Sequence, residues 1–442
     1  MRTATARMLP MLATVLALAA ARPASADEFP LKDGDVWVMA GDSITAQHLH
    51  TNYMEAFCYA RYPKLTFRIR NSGVGGNKIP DLINRFDYDV AAWKPTIVSV
   101  ELGMNDKGQF TTDQYIENMG KLTQKIQAVK ARPVFFTASP MNDGSTMDKL
   151  GGNARLNEYA IALKKFAAEQ KAPFADQFHA LIDVWGKNKA RETTANEIAA
   201  VKALAQDDKL PGVEHLKAFL AEQTKDPNPP VSMKGDAVHP GEPGQLMMAA
   251  ALLSDLGADG FVSSACVECN QGAKPVCDAR GCTLDGVRVE GGGVAFDRLD
   301  DSIPFPIPDE ARSVLPLAPT VLQLSDCSLA VGGLKGDRFT VSIDGKVVAM
   351  LAAGELKKGV NLTAYGTGPY ADQGKEVLAA VKAKEDLVGQ WRNLSKAASA
   401  ENAPAKAKEG LENQTKKVEE ADAKIREAAK PRKHHFEIAP AK

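Results

Sequence analysis

The sequence predicts a three-layer α/β/α domain on a parallel sheet, then a small β-rich domain and a helical, charged C-terminal tail. Three observations carry this reading. Between residues 27 and 260, short apolar runs rich in β-branched residues alternate with longer segments of helical spacing. Such alternation marks a parallel sheet with helices on both faces. From about 286 to 370 the runs shorten, and Asp344-Gly345 separates Phe339-Thr340-Val341-Ser342-Ile343 from Lys346-Val347-Val348-Ala349-Met350. Asp-Gly between two such runs is a strong hairpin signal, and a small β-sandwich is the expectation. After 371 the composition turns to Ala, Lys and Glu.

The elements of the first domain follow in order. Val36-Trp37-Val38-Met39 is an apolar run that enters Ala40-Gly41-Asp42-Ser43, so a buried strand ends in a tight turn ahead of a helix. Residues 67–71 form a short strand leading into Gly73-Val74-Gly75-Gly76. Residues 80–93 read as a helix stopped before Pro95, and 96–102 (TIVSVEL) as a buried strand. Helical spacing from 112 to 130 puts Tyr115, Ile116, Met119, Leu122, Ile126 and Val129 on one side. Residues 133–138 are a strand, 154–170 a helix, and Phe174 begins a further short strand. The charged stretch 185–230 breaks the rhythm and reads as a helical insertion. Gly235-Asp236-Ala237-Val238-His239-Pro240 follows, and a helix over 244–256 closes the domain.

At its two ends the chain differs from this pattern. Arg2 and Arg7 precede an apolar run over 8–21, and Ala24-Ser25-Ala26 offers a cleavage site. Residues 1–26 therefore read as a signal peptide, and the mature chain as a secreted or periplasmic protein without a stable membrane span; an uncleaved anchor is the rival. Export places the six cysteines in an oxidising compartment. Cys58 stands alone and is expected as a buried free thiol. Cys266, Cys269, Cys277, Cys282 and Cys327 fall within or near a cysteine-rich linker at 261–285, where disulfides are expected ahead of a zinc site. Residues 371–393 read as a helix, and 396–430 as an exposed helix or mobile tail with a thin stripe of Leu411, Val418 and Ile425. His434 and His435 read as solvated tail residues. A formal net charge of −1 gives no reason to expect a nucleic-acid partner.

The chemistry gathers in a few short segments. Ser43 at a strand's carboxyl edge is a candidate nucleophile, with a helix N-cap as the plain alternative. The glycine-rich loop after Asn71 can bring backbone N–H groups to a ligand; it lacks the spacing of a phosphate-binding loop. Asn105 offers a side-chain amide just after another strand. Asp236 and His239 place a carboxylate and a base on one turn. Serine attack on an acyl carbon needs these parts: a base, a group that orients it, and donors for the oxyanion. His48 and His50 lie soon after Ser43 and can line the cleft, or sit on a helix surface.

In order and spacing these segments resemble the SGNH hydrolases, the GDSL-type esterases and lipases, over residues 36–106 and 232–250. The resemblance implies a flavodoxin-like sheet and ester hydrolysis with no cofactor and no metal. It implies Ser43 as nucleophile, His239 as base and Asp236 as its orienter. The oxyanion hole would be the N–H groups of Ser43 and Gly76 with the Asn105 amide, and Asp42 and Asp106 would give supporting hydrogen bonds. The implied partner is a small ester or an acylated glycan. Export and the appended β-rich domain favour short acyl esters on carbohydrates; a lipase, a thioesterase or a non-catalytic glycan-binding or envelope protein are the alternatives.

Overall fold

The computed structural model describes residues 29–141, 153–223, 235–236, 238–269 and 274–441, without the side chains of 185–198 and 222–223. The signal segment expected at 1–26 lies outside them.

The first domain alternates strand and helix as the apolar pattern requires: β1 (Val36–Gly41), α1 (Ser43–Ala46), α2 (Leu49–Arg61), β2 (Arg68–Gly73), α3 (Ile79–Asp89), β3 (Ile97–Glu101), α4 (Thr112–Ala128), β4 (Arg132–Phe136), α5 (Ala154–Gln170), β5 (Phe174–Ala175), α6 (Gln177–Leu204), α7 (Val213–Gln223) and α8 (Glu242–Asp255). The sheet order is β2-β1-β3-β4-β5, every pair parallel. Side chains alternate across a strand. Trp37 and Met39 of β1 therefore enter one core with α2 and α8, while Val38 and Ala40 enter the other with α3, α4 and α5. Strand β1 is flanked by β2 and β3, so the turn at its carboxyl end sits between the ends of those two strands. The insertion expected at 185–230 is in part a continuation of α6, which runs unbroken to Leu204 before α7.

The remainder of the chain comprises β6 (Phe261–Glu268), β7 (Val276–Arg280), β8 (Cys282–Glu290), β9 (Gly293–Asp300), α9 (Pro319–Gln323), β10 (Asp326–Gly332), β11 (Arg338–Ile343), β12 (Lys346–Ala352), α10 (Ala353–Lys358), β13 (Val360–Asn361), α11 (Pro369–Ala398), α12 (Ala405–Ala428) and β14 (Lys433–Pro440). The Asp344-Gly345 hairpin is present, with positive φ at both turn residues. Two sheets, β13-β10-β6-β7 and β12-β11-β14-β9-β8, close on one core that includes Val267, Leu329, Phe296, Phe339 and Phe436.

Four expectations change here. Residues 261–285 are strands of this β-rich domain rather than a linker. The expected disulfides are not formed, and all six cysteines are free thiols. Strand register explains one pair: Cys266 lies opposite Asp278 and Cys277 opposite Val267, so the two sulfurs leave opposite faces. Cys58 is buried as a free thiol, and burial pushes its pKa up. Next, the tail is not an exposed helix but is packed against the rest of the chain. Helix α11 buries Val377, Val381, Lys384, Val388 and Trp391, and α12 buries Gln414, Val418, Asp422 and Ile425, against each other and the α/β domain. Charge pairing lets the polar residues of these faces be buried. Lys384 Nζ lies 2.8 Å from the Glu55 carboxylate, and Arg70 donates to both oxygens of Asp422 at 2.9 and 2.6 Å. Residues that count as surface in a polarity pattern are buried because their partners lie on α2 and β2. Finally, His434 is not solvated. It sits in β14, pairs by Nδ1 with Asp344 at 2.7 Å and is buried, while the neighbouring His435 pairs with Asp297.

Candidate active site

Ser43 opens α1, and its rival role as a helix cap is taken by its neighbour. Asp42 accepts the Ile44 N–H at 2.9 Å, which leaves the Ser43 hydroxyl unused by the backbone. That hydroxyl lies 2.7 Å from His239 Nε2. On the other side of the ring, Nδ1 donates to Asp236 Oδ2 at 2.8 Å. Hence Nε2 is the free acceptor facing Ser43. The other Asp236 oxygen accepts the N–H groups of Val238 and His239 at 2.7 and 2.8 Å, so one short turn presents carboxylate and imidazole together. Those backbone donors, with the imidazole, hold the Asp236 pKa down at about 2. The carboxylate stays ionised throughout the range in which a histidine changes charge.

Gly73-Val74-Gly75-Gly76 approaches from β2. The Val74 N–H donates to Gly41 O at 3.2 Å, tying this loop to the serine turn. A Cβ on Gly73 would lie 2.4 Å from Ala46 N, so only glycine permits this approach. Gly76 is exposed at φ +74°, a conformation that L side chains avoid. Asn105 stands beside the loop: its amide nitrogen donates to Asn77 O at 3.1 Å and lies 3.4 Å from Asp42 Oδ2. Asp106 accepts the Ile79 N–H at 3.0 Å, which ties the Asn105 turn to the start of α3. The expected residues Ser43, Gly76, Asn105, Asp236, His239, Asp42 and Asp106 are therefore assembled at the carboxyl edge of the sheet.

Beneath them lies a polar layer that sequence patterns do not reveal. Burial pushes the Asp42 carboxyl up to about 8, with nearby Glu101 adding to the shift, and burial pushes Asp106 to about 6. His50 is buried rather than on a helix surface. Its Nε2 lies 3.1 Å from Glu101 and its Nδ1 2.8 Å from Gln245 Oε1. Burial alone opposes charge on this ring, but the Glu101 carboxylate and both hydrogen bonds outweigh it and raise the pKa. Gln245 in turn donates to Pro240 O at 3.2 Å, the residue after His239. The one legible signal for this layer is an acidic residue, Glu101, at the end of a buried, mostly apolar strand. His48 is part-exposed and faces Glu385 of α11 at 3.7 Å; burial lowers its pKa. Among the described residues no group of three or more His, Cys, Asp or Glu is placed to hold a metal ion.

A serine, a glycine, an asparagine and a histidine converging on the carboxyl edge of a five-stranded parallel sheet place the α/β domain in the class of SGNH hydrolases. The model of the GDSL-like lipase/acylhydrolase family matches residues 39–246, within this domain, and the protein is a carboxylic ester hydrolase. Over 216 residues the chain is 25% identical to an acetylxylan esterase of Geobacillus stearothermophilus, a match covering 46% of this chain and 79% of that one. The structure of a gut microbial diltiazem-metabolizing enzyme superposes with a TM-score of 0.69 at 21% identity, covering 94% of this chain and 100% of that one, so the fold extends beyond the α/β domain. A crystal structure of the Geobacillus esterase gives a TM-score of 0.36 at 21% identity, covering 51% and 95% of the two chains.

Proposed function

We propose that the protein is an exported serine esterase that removes short acyl groups, acetyl first among them, from carbohydrates through an acyl-enzyme on Ser43. One observation carries the mechanism: the line of hydrogen bonds from Ser43 Oγ through His239 to Asp236. His239 Nε2 takes the hydroxyl proton as Oγ attacks the carbonyl carbon, and Asp236 steadies the imidazolium. The oxyanion forms beside the N–H groups of Ser43 and Gly76 and the Asn105 amide. Collapse breaks the ester C–O bond, and the alcohol leaves with the proton from His239. Water then attacks the acyl-serine, gives its proton to His239, and the acid departs as Oγ regains its proton.

The substrate class rests on the acetylxylan esterase relative, and export on the leader-like residues 1–26. The test is a panel of p-nitrophenyl acetate, acetylated xylo-oligosaccharides, diltiazem and longer-chain lipid esters, with product analysis and a Ser43→Ala control. Acetate release from the sugars, lost by several orders of magnitude in kcat for Ser43→Ala, is the expected result. Preference for long acyl chains would move the protein to the lipases. No turnover of any ester, with no fluorophosphonate labelling of Ser43, would leave the glycan-binding alternative.

A further inference from the structure

The C-terminal helical hairpin, α11 and α12, does more than cover the α/β domain, because one of its side chains reaches the residues that frame the candidate oxyanion hole. Arg392 of α11 donates from Nε to Asp89 Oδ1 at 2.8 Å and from Nη2 to Asn71 O at 3.2 Å. The other Asp89 oxygen accepts from Arg85 and, at 2.9 Å, from Ser72 Oγ. Arg85 is buried, and its guanidinium spreads over both halves of the site. Nε donates to Asn77 Oδ1 at 2.7 Å; Nη2 donates to Ser72 O at 2.8 Å and Gly41 O at 3.2 Å. Asn77 follows Gly76 and supplies the carbonyl that holds Asn105, while Gly41 lies two residues before Ser43. A single planar cation thus sets the separation between the serine turn and the glycine loop.

Asp89 pairs with Arg85 and helps hold the guanidinium in that position. Asp89 in turn lies nearly fully buried between two guanidinium groups, one from α3 and one from α11. We propose that Arg392 is a positioning residue for ester hydrolysis, fixing the 73–77 loop against the Ser43 turn through Asp89 and Arg85, so that the C-terminal hairpin is part of the catalytic unit. This rests on the role given above to Ser43 and Gly76. Docking of α11 does not itself depend on Arg392: Trp391 stacks on Trp93 with ring centroids 3.6 Å apart, and Ser395 Oγ donates to Tyr88 O at 2.5 Å. Removing the guanidinium therefore leaves the helix in place and loosens the loop.

The experiment compares full-length wild type, Arg392→Ala, Arg392→Lys and a control, Lys416→Ala, on the exposed side of α12. For Arg392→Ala, kcat for p-nitrophenyl acetate should fall on the order of tenfold to a hundredfold with KM near wild type, the signature of misplaced transition-state donors. Arg392→Lys should recover part of the loss, and the control should match wild type. Hydrogen exchange read in parallel should show faster exchange over 73–77 in Arg392→Ala, with β1 and β3 unchanged. Unchanged kcat, or an effect on KM or thermal stability alone, overturns the proposal, as does unchanged exchange over 73–77. If Arg392→Ala does not fold, Arg392→Lys carries both readouts. If wild type itself hydrolyses no ester, the role given to Ser43 falls, and the exchange measurement alone then decides whether Arg392 holds the loop.

Discussion

Asp42 and Asn105 show how single residues divide the work around Ser43. Because Asp42 caps α1, the serine hydroxyl is left for His239. Burial, with Glu101 nearby, raises the Asp42 pKa from 3.8 to about 8. A carboxyl whose folded pKa lies above its unfolded value binds more protons in the folded state between those two values. Its contribution to stability is therefore full below pH 3.8 and is lost as pH rises through about 8. Asp42→Asn keeps the cap oxygen and removes the titration. Its urea midpoint should change less between pH 5 and pH 8 than that of wild type, and parallel curves would show that Asp42 does not titrate there. Asn105 is held by Asn77 O beside the glycine loop. Asn105→Ala should raise the barrier by about 3 kcal/mol, roughly a hundredfold or more in kcat, with little change in KM. A change confined to KM would mean that Asn105 binds only ground-state substrate.

Among the elements, the hairpin of α11 and α12 departs furthest from its polarity pattern. Its apolar stripe is thin, and the rest of its buried face is charged. Arg70 and Asp422 are each 1% exposed and pair through both carboxylate oxygens. Removing one partner leaves the other charge desolvated, so Asp422→Ala should cost about 3–5 kcal/mol of unfolding free energy. Chemical denaturation reads this directly. A loss below about 1 kcal/mol, the range of solvent-exposed bridges, would show that water reaches Arg70 once Asp422 is gone.

Across the whole molecule, the last strand closes the structure. β14 lies between β11 and β9, and its Phe436 and Ile438 are in the core of the β-rich domain. The two ends of this domain are thus joined only after α11 and α12 have crossed the α/β domain. A chain ending at residue 430 leaves two sheet edges unpaired and uncovers Phe296 and Phe339. It should lose protection of the β-rich domain in limited proteolysis while the sheet of the α/β domain remains resistant. An unchanged digestion pattern would show that the five-stranded sheet holds without its central strand.

The sequence by itself determined the α/β order, the Asp344-Gly345 hairpin and the placing of Ser43, Gly76, Asn105, Asp236 and His239 just beyond strands or on one turn. These are local properties: strand and helix periods, glycine conformations and a carboxylate three residues from its imidazole act within a few residues of chain. Only the tertiary structure decided that Glu101, His50 and Gln245 form a layer under the site, that Arg85 bridges the serine turn and the glycine loop, and that the charged tail is core. Each of those depends on burying a polar group whose partner stands far away in sequence. His50 meets Gln245, Arg70 meets Asp422, and Asp89 meets Arg392. A polarity pattern assigns such residues to solvent, because nothing local shows the partner that makes their burial affordable.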